Sequence, residues 1–89
     1  MTPDSVPRFA PHVKFRFDKA RDCWVVLAPE RLLLPDEIAV EVLKCCDGAT
    51  TIAAIIADLA GRYDAPAAEI GGDVTGLLQD LADKGFLAA

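Results

Sequence analysis

The hydrophobic period of this chain changes at Pro35, and that change restricts the fold more than any single motif does. Before Pro35 the apolar residues alternate, or gather in short runs rich in β-branched and aromatic side chains. After it they recur at intervals of three and four residues. Period two belongs to strands and period 3.6 to helices. A block of strands followed by a block of helices keeps the two kinds of element apart. This predicts an α+β domain.

The segment "HVKFRFD" sets Val13, Phe15 and Phe17 against Lys14, Arg16 and Asp18, the alternation of a half-buried strand. "DKARD" is a polar connector and "CWVVLA" a second strand, so the two form a hairpin. "RLLL" reads as a short third strand, fenced by Pro29 and Pro35. Proline has no N–H to give to a ladder, so a strand bounded in this way belongs at the edge of a sheet. An edge leaves backbone N–H and C=O groups unpaired on one side.

Past Pro35, Ile38, Ala39, Val42, Leu43, Cys45 and Cys46 fall on one broad helical face, with Glu37, Glu41 and Lys44 off it. Asp47-Gly48 ends this helix, the glycine supplying the left-handed cap conformation. Thr50 or Thr51 caps the next, which carries Ile52, Ile55, Ile56, Leu59 and Tyr63 as a stripe up to "GRYDAP". A third helix runs from about Ala67 to Lys84, with Ile70, Val74, Leu77, Leu78 and Leu81 on one face. Gly85 stops it, and Phe86-Leu87 return to the core. Gly71 and Gly72 loosen its first turns. The expected fold is a three-stranded antiparallel sheet followed by three helices, winged helix-turn-helix-like. Pro3, Pro7 and Pro11 predict a flexible Pro-rich arm over residues 1–11, ahead of a domain over 12–89.

A chain of 89 residues suits one domain, and an apolar content of 53% supplies a core without a metal or disulfide staple. Nine basic residues against fourteen acidic ones leave a net charge of −5. Helix-turn-helix domains commonly bind DNA, which makes a winged-helix regulator the alternative function. Glu69, Asp73, Asp80 and Asp83 against Lys84 on the third helix oppose it, because that surface repels a phosphate backbone. No apolar run reaches transmembrane length, and "MTPDSVPRFAP" lacks the regions of a signal peptide. The expectation is a cytoplasmic protein with neither nucleic-acid nor membrane partners.

The adjacent Cys45 and Cys46 invite a thiol or redox reading. Their place on an apolar helical face points to packing instead, as for free cysteine in general. Cys23 and His12 add no metal-ligand spacing. Asp36, Glu37 and Glu41 complement the dipole at a helix start. The chain offers no convincing catalytic constellation and implies no cofactor. What it does offer is the edge strand Arg31–Leu34 beside an apolar helix, which suits capture of an extended peptide as an added strand.

Three stretches, "LAPERLLLP", "CCDGATTIAAIIADLAGRYDAP" and "DVTGLLQDLADKGFL", carry Arg21's successors Pro29-Glu30, Cys46-Asp47-Gly48, Tyr63-Asp64, Asp73-Val74 and Lys84-Gly85 in order. With Arg21 itself they resemble the PqqD family of pyrroloquinoline quinone (PQQ) biosynthesis, from about His12 to Leu87. The resemblance implies a peptide chaperone, a recognition element for ribosomally made and modified peptides. Such a protein binds the precursor peptide PqqA and presents it to the radical S-adenosylmethionine enzyme PqqE. It implies no cofactor, and in some members a fusion to PqqC. In related recognition elements the peptide lies along the third strand against the third helix. Carried onto this sequence, the peptide-binding residues are Glu30, Arg31, Leu32, Leu33 and Leu34 with Asp73, Val74, Leu77 and Leu78.

Overall fold

The computed structural model describes residues 1–29 and 31–88. A hairpin of β2 (Lys14–Asp18) and β3 (Cys23–Ala28) is joined by β4 (Arg31–Leu33) into an antiparallel sheet of order β2-β3-β4. Helices α1 (Glu37–Lys44), α2 (Ile52–Tyr63) and α3 (Ala67–Asp83) follow. The α+β fold expected from the change of period is therefore the one observed. Two further strands, β1 (Arg8–Phe9) and β5 (Leu87–Ala88), pair antiparallel as a separate ribbon.

Local chemistry sets the boundaries. In the β2–β3 turn, Asp18 Oδ1 accepts from the N–H of Ala20 at 2.9 Å, and Asp22 takes a left-handed φ of 53°. Such a side-chain turn is a common use of aspartate. Asp36 caps α1 by accepting from the N–H of Ala39 at 2.8 Å. Thr51, not Thr50, caps α2 through the N–H of Ala54 at 3.1 Å. Thr50 belongs instead to the preceding turn, where Asp47 accepts from the N–H of Ala49 and Thr50 and from the Thr50 hydroxyl. These bonds hold the Asp47 carboxyl below the ordinary aspartate range, the Ala49 N–H contributing most. Gly48 and Gly85 have φ of 77° and 86°, which only glycine adopts without strain.

The core lies between the sheet and the helices. Val26, Val42, Leu43, Ile52, Ile55, Leu59, Val74, Leu78 and Leu81 are buried there together with Phe86 and Leu87. Cross-strand register puts Phe15 opposite Val26, Phe17 opposite Trp24 and Leu33 opposite Val26, so these side chains share the face turned to the core. Trp24 stacks on Phe15 at 4.8 Å between centroids, and Lys44 of α1 lies 5.1 Å above its ring. The α1–α2 contact is tied at the surface by Arg62, which pairs with Glu41 and with Asp58, each at 3.1 Å. The hydrogen bond from Arg62 is the main reason the Glu41 carboxyl ionises more readily than usual.

The structure differs from the sequence expectation in three places. Residues 1–11, expected as a flexible arm, run along the domain. Pro7 is fully buried, and the carbonyls of Pro3 and Ser5 accept from the N–H groups of Ala53 and Ile52. The arm thus satisfies donors that the first turn of α2 leaves unpaired. Helix α1 is shorter than its apolar stripe suggests: Cys45 is its C-cap and Cys46 lies beyond it, though still buried. Gly71 and Gly72, expected to loosen the first turns of the third helix, lie inside a helix that runs unbroken from Ala67, and a side chain at Gly71 would meet Ile56 of α2.

Burial explains the cysteines. It pushes the Cys46 thiol from 9.0 up to about 12, and burial also raises that of Cys45. The folded state therefore favours the neutral thiol. Its contribution is fully present below pH 9 and is lost as pH rises from 9 toward 12, because the unfolded chain ionises first. A pH series of chemical denaturation should show this alkaline decline, and Cys46→Ala should flatten it while lowering stability at neutral pH. In native alkylation at mildly alkaline pH, Cys23 and Cys45 should react ahead of Cys46. Equal rates at all three would contradict the burial described here.

Candidate functional site

Strand β4 is an edge of the sheet: β3 occupies one side of it and no described strand occupies the other. Beside it lies a groove of about 210 Å³. Leu33, Leu34 and Pro35 form one wall, Leu77 and Asp80 of α3 with its C-cap Lys84 the other, and Ala39, Leu43 and Leu81 line its depth. The spacing of Asp73, Leu77, Asp80 and Lys84 is i, i+4, i+7, i+11, a single stripe along α3. That stripe is turned about a quarter of the helix circumference away from the one that fills the core.

The residues implied by the family resemblance distribute unevenly over this geometry. Leu33, Leu34 and Leu77 meet at the groove. Leu34 is 55% exposed, a large apolar side chain held in solvent at the end of the edge strand. Leu32 pairs with Leu27 and so points to the opposite face of the sheet from Leu33, away from the groove. Arg31 reaches across to the Lys84 carbonyl at the end of α3 and lies 5.8 Å over the Phe86 ring. It clamps the strand to the helix. Leu78 is 0% exposed and belongs to the core. Asp73 and Val74 line a second, neighbouring cavity, of about 270 Å³, which Leu77 separates from the groove. Glu30 lies outside the described residues.

Sequence reasoning missed Asp80, Leu81 and Lys84 on the helix side, and Ala39 and Leu43 on the floor. The signal was present in the i+7 and i+11 continuation of the Asp73–Leu77 row, which extends the groove to the end of α3. Lys84 pairs with Asp80 at 3.0 Å, so this end of the groove presents a partnered charge rather than a bare cation. Among the described residues, no three His, Cys, Asp or Glu side chains are placed to hold a metal ion.

Fold and groove together define a small α+β domain with an open strand edge set against an apolar helix wall. A family model described as coenzyme PQQ synthesis protein D (PqqD) matches residues 23–87, and the chain belongs to the PqqD family. A relative from Rhodopseudomonas palustris, named PqqA binding protein, is 61% identical over 93% of this chain and 81% of its own length. Among solved structures, the chain is similar to the PqqD part of Methylobacterium extorquens PqqCD, determined in solution by NMR and described as a functional, stand-alone recognition element for ribosomally synthesised and modified peptides. The identity is 41% and the TM-score 0.82, covering 99% of this chain and 94% of that one. The crystal structure of PqqD from Xanthomonas campestris is 42% identical with a TM-score of 0.59, covering 94% and 93%.

Proposed function

We propose that this protein is a non-catalytic adaptor of PQQ biosynthesis that binds the precursor peptide PqqA by strand addition to β4 and presents it to the radical S-adenosylmethionine enzyme PqqE. The observation that carries the reading is the unpaired edge of β4 beside the apolar groove of α3. It is supported by a relative named PqqA binding protein at 61% identity. The protein works in the cytoplasm, where its precursor peptide is made, and no described helix is long and apolar enough to cross a membrane. The likeness to the PqqD part of PqqCD supports an association with PqqC, fused or free. The acidic rim of α3 disfavours the winged-helix regulator, which would need a cationic face there.

In this mechanism the edge of β4 supplies backbone hydrogen bonds and the groove supplies the choice of side chain. A three-residue strand offers only a few such bonds, at about 1 kcal/mol each. Ordering the peptide costs roughly 2–5 kcal/mol. Most of the net affinity must therefore come from apolar side chains, which contribute about 1.5–3 kcal/mol apiece when buried.

Titration of the isotope-labelled chain with synthetic PqqA, followed by amide NMR shifts, tests this. Saturable shifts are expected along Arg31–Leu34 and on the Leu77–Lys84 side of α3. Leu34→Asp places a charge at an exposed apolar position of the groove wall, so it should leave the fold intact. It should weaken PqqA roughly tenfold or more, as expected for an anchor at the centre of an interface. Saturable binding with Arg31–Leu34 unmoved, and unchanged by Leu34→Asp, would sink strand addition at this edge.

A further inference from the structure

The second cavity has no part in strand pairing, yet it is the more enclosed and more apolar of the two depressions on this side. Ile38 and Val42 of α1, Leu59 of α2 and Ile70 and Val74 of α3 form its walls. Its volume of about 270 Å³ falls below the roughly 300–1,000 Å³ of sites that enclose a whole small-molecule ligand. It is of a size for one large side chain. Of the five large apolar side chains most exposed on the described surface, Ile38 at 63% and Tyr63 at 48% border this cavity, and Leu34 borders the adjoining groove. Exposed apolar residues gathered in one place mark an interaction site more than scattered ones do.

The rim fixes the charge of the occupant. Glu69 and Asp73 stand one turn apart on α3 at the cavity mouth. Like charges at this spacing repel, and among the described residues neither is paired with a cation. The helix dipole accounts for Glu69 in the first turn of α3, but its effect fades before Asp73. Tyr63 completes the mouth with an aromatic face, to which cations are also drawn. The cavity adjoins the groove at the strand edge: Leu77 lines both, and α1 turns Ala39 and Leu43 to the groove and Ile38 and Val42 to the cavity.

We propose that this cavity is an anchoring subsite for the same peptide, taking one large apolar side chain flanked by a lysine or arginine. The apolar side chain fills the space beneath Ile38 and Tyr63. The flanking cation sits between the Glu69 and Asp73 carboxylates. The anchor lies on the part of the peptide that continues past Leu34, beyond the segment paired with β4. It supplies the apolar burial that a three-residue strand edge lacks. This subsite rests on the strand-addition reading above.

The test uses the full chain and synthetic PqqA, with shifts and affinity measured at low and high salt. Wild type should show saturable shifts at Ile38, Tyr63 and Ile70 in addition to β4. Glu69→Gln/Asp73→Asn removes a like-charge pair, so the variant should fold. It should bind roughly two- to tenfold more weakly, with most of the salt dependence gone. Ile38→Ala, at an exposed position, should weaken binding without altering the salt dependence. Shifts confined to β4 and the groove, with both variants binding like wild type, would overturn the anchor and leave strand addition standing. Absence of shifts at β4 itself would overturn strand addition, and the anchor with it.

Discussion

Leu78→Ala is expected to lower the unfolding free energy by about 2–5 kcal/mol, the range for truncating a large side chain in a packed core. Leu78 is 0% exposed and sits among Val74, Leu81 and the apolar face of α2. A domain of this size has a total stability of roughly 5–15 kcal/mol, so the loss takes a large share. Its neighbour Leu77, only partly buried and turned to the groove, should behave in the opposite way. Leu77→Ala should cost little stability and weaken peptide binding. Denaturant titration of the two variants, with peptide affinity measured on each, separates the roles. If Leu78→Ala unfolded at the wild-type midpoint, or Leu77→Ala proved the more destabilising, the rotation of α3 described here would be incorrect.

That pair of leucines shows what the sequence made legible and what it did not. The period of the apolar residues located α3 within a residue of its observed end, because burial of a stripe is a strong and local signal. The same period cannot tell which flank of the stripe stays open. Leu77 and Leu78 look equivalent in a helical projection until a neighbouring strand fixes the angle of the helix. Tyr63 is a similar case. It continues the stripe of Ile52, Ile55, Ile56 and Leu59, but the α2–α3 turn begins at Asp64, in a left-handed conformation, and leaves its ring at a cavity mouth. Leu32 fails for a third reason. Alternation assigns Leu32 and Leu33 to opposite faces, but only the pairing of Leu33 with Val26 says which face meets the groove. The β1–β5 ribbon was illegible altogether, since two residues on each side carry no period.

Deleting residues 1–7 is expected to destabilise the domain by roughly 2–5 kcal/mol, although three prolines in the first eleven residues suggest a dispensable tail. The truncation removes three backbone hydrogen bonds at about 0.5–1.5 kcal/mol each and a small buried side chain. The bonds run from the N–H groups of Ile52 and Ala53 to the Ser5 and Pro3 carbonyls, and from that of Gly48 to the Pro7 carbonyl. Pro7 is the buried side chain. Two of the three donors belong to the first turn of α2, which no helical carbonyl can reach. Proline suits this work: it lacks an N–H of its own to satisfy, and its fixed φ keeps the chain extended with its carbonyls presented outward. Hydrogen exchange should therefore respond locally, with Ile52 and Ala53 losing protection in the truncated chain. Peptide affinity, measured below the onset of unfolding, should hold, because the arm's bonds run to Gly48, to the first turn of α2 and to Gln79 of α3, none of which lines the groove. Unchanged stability together with unchanged protection at Ile52 and Ala53 would show that the arm does not cap α2, and would return it to the role of a loose leader.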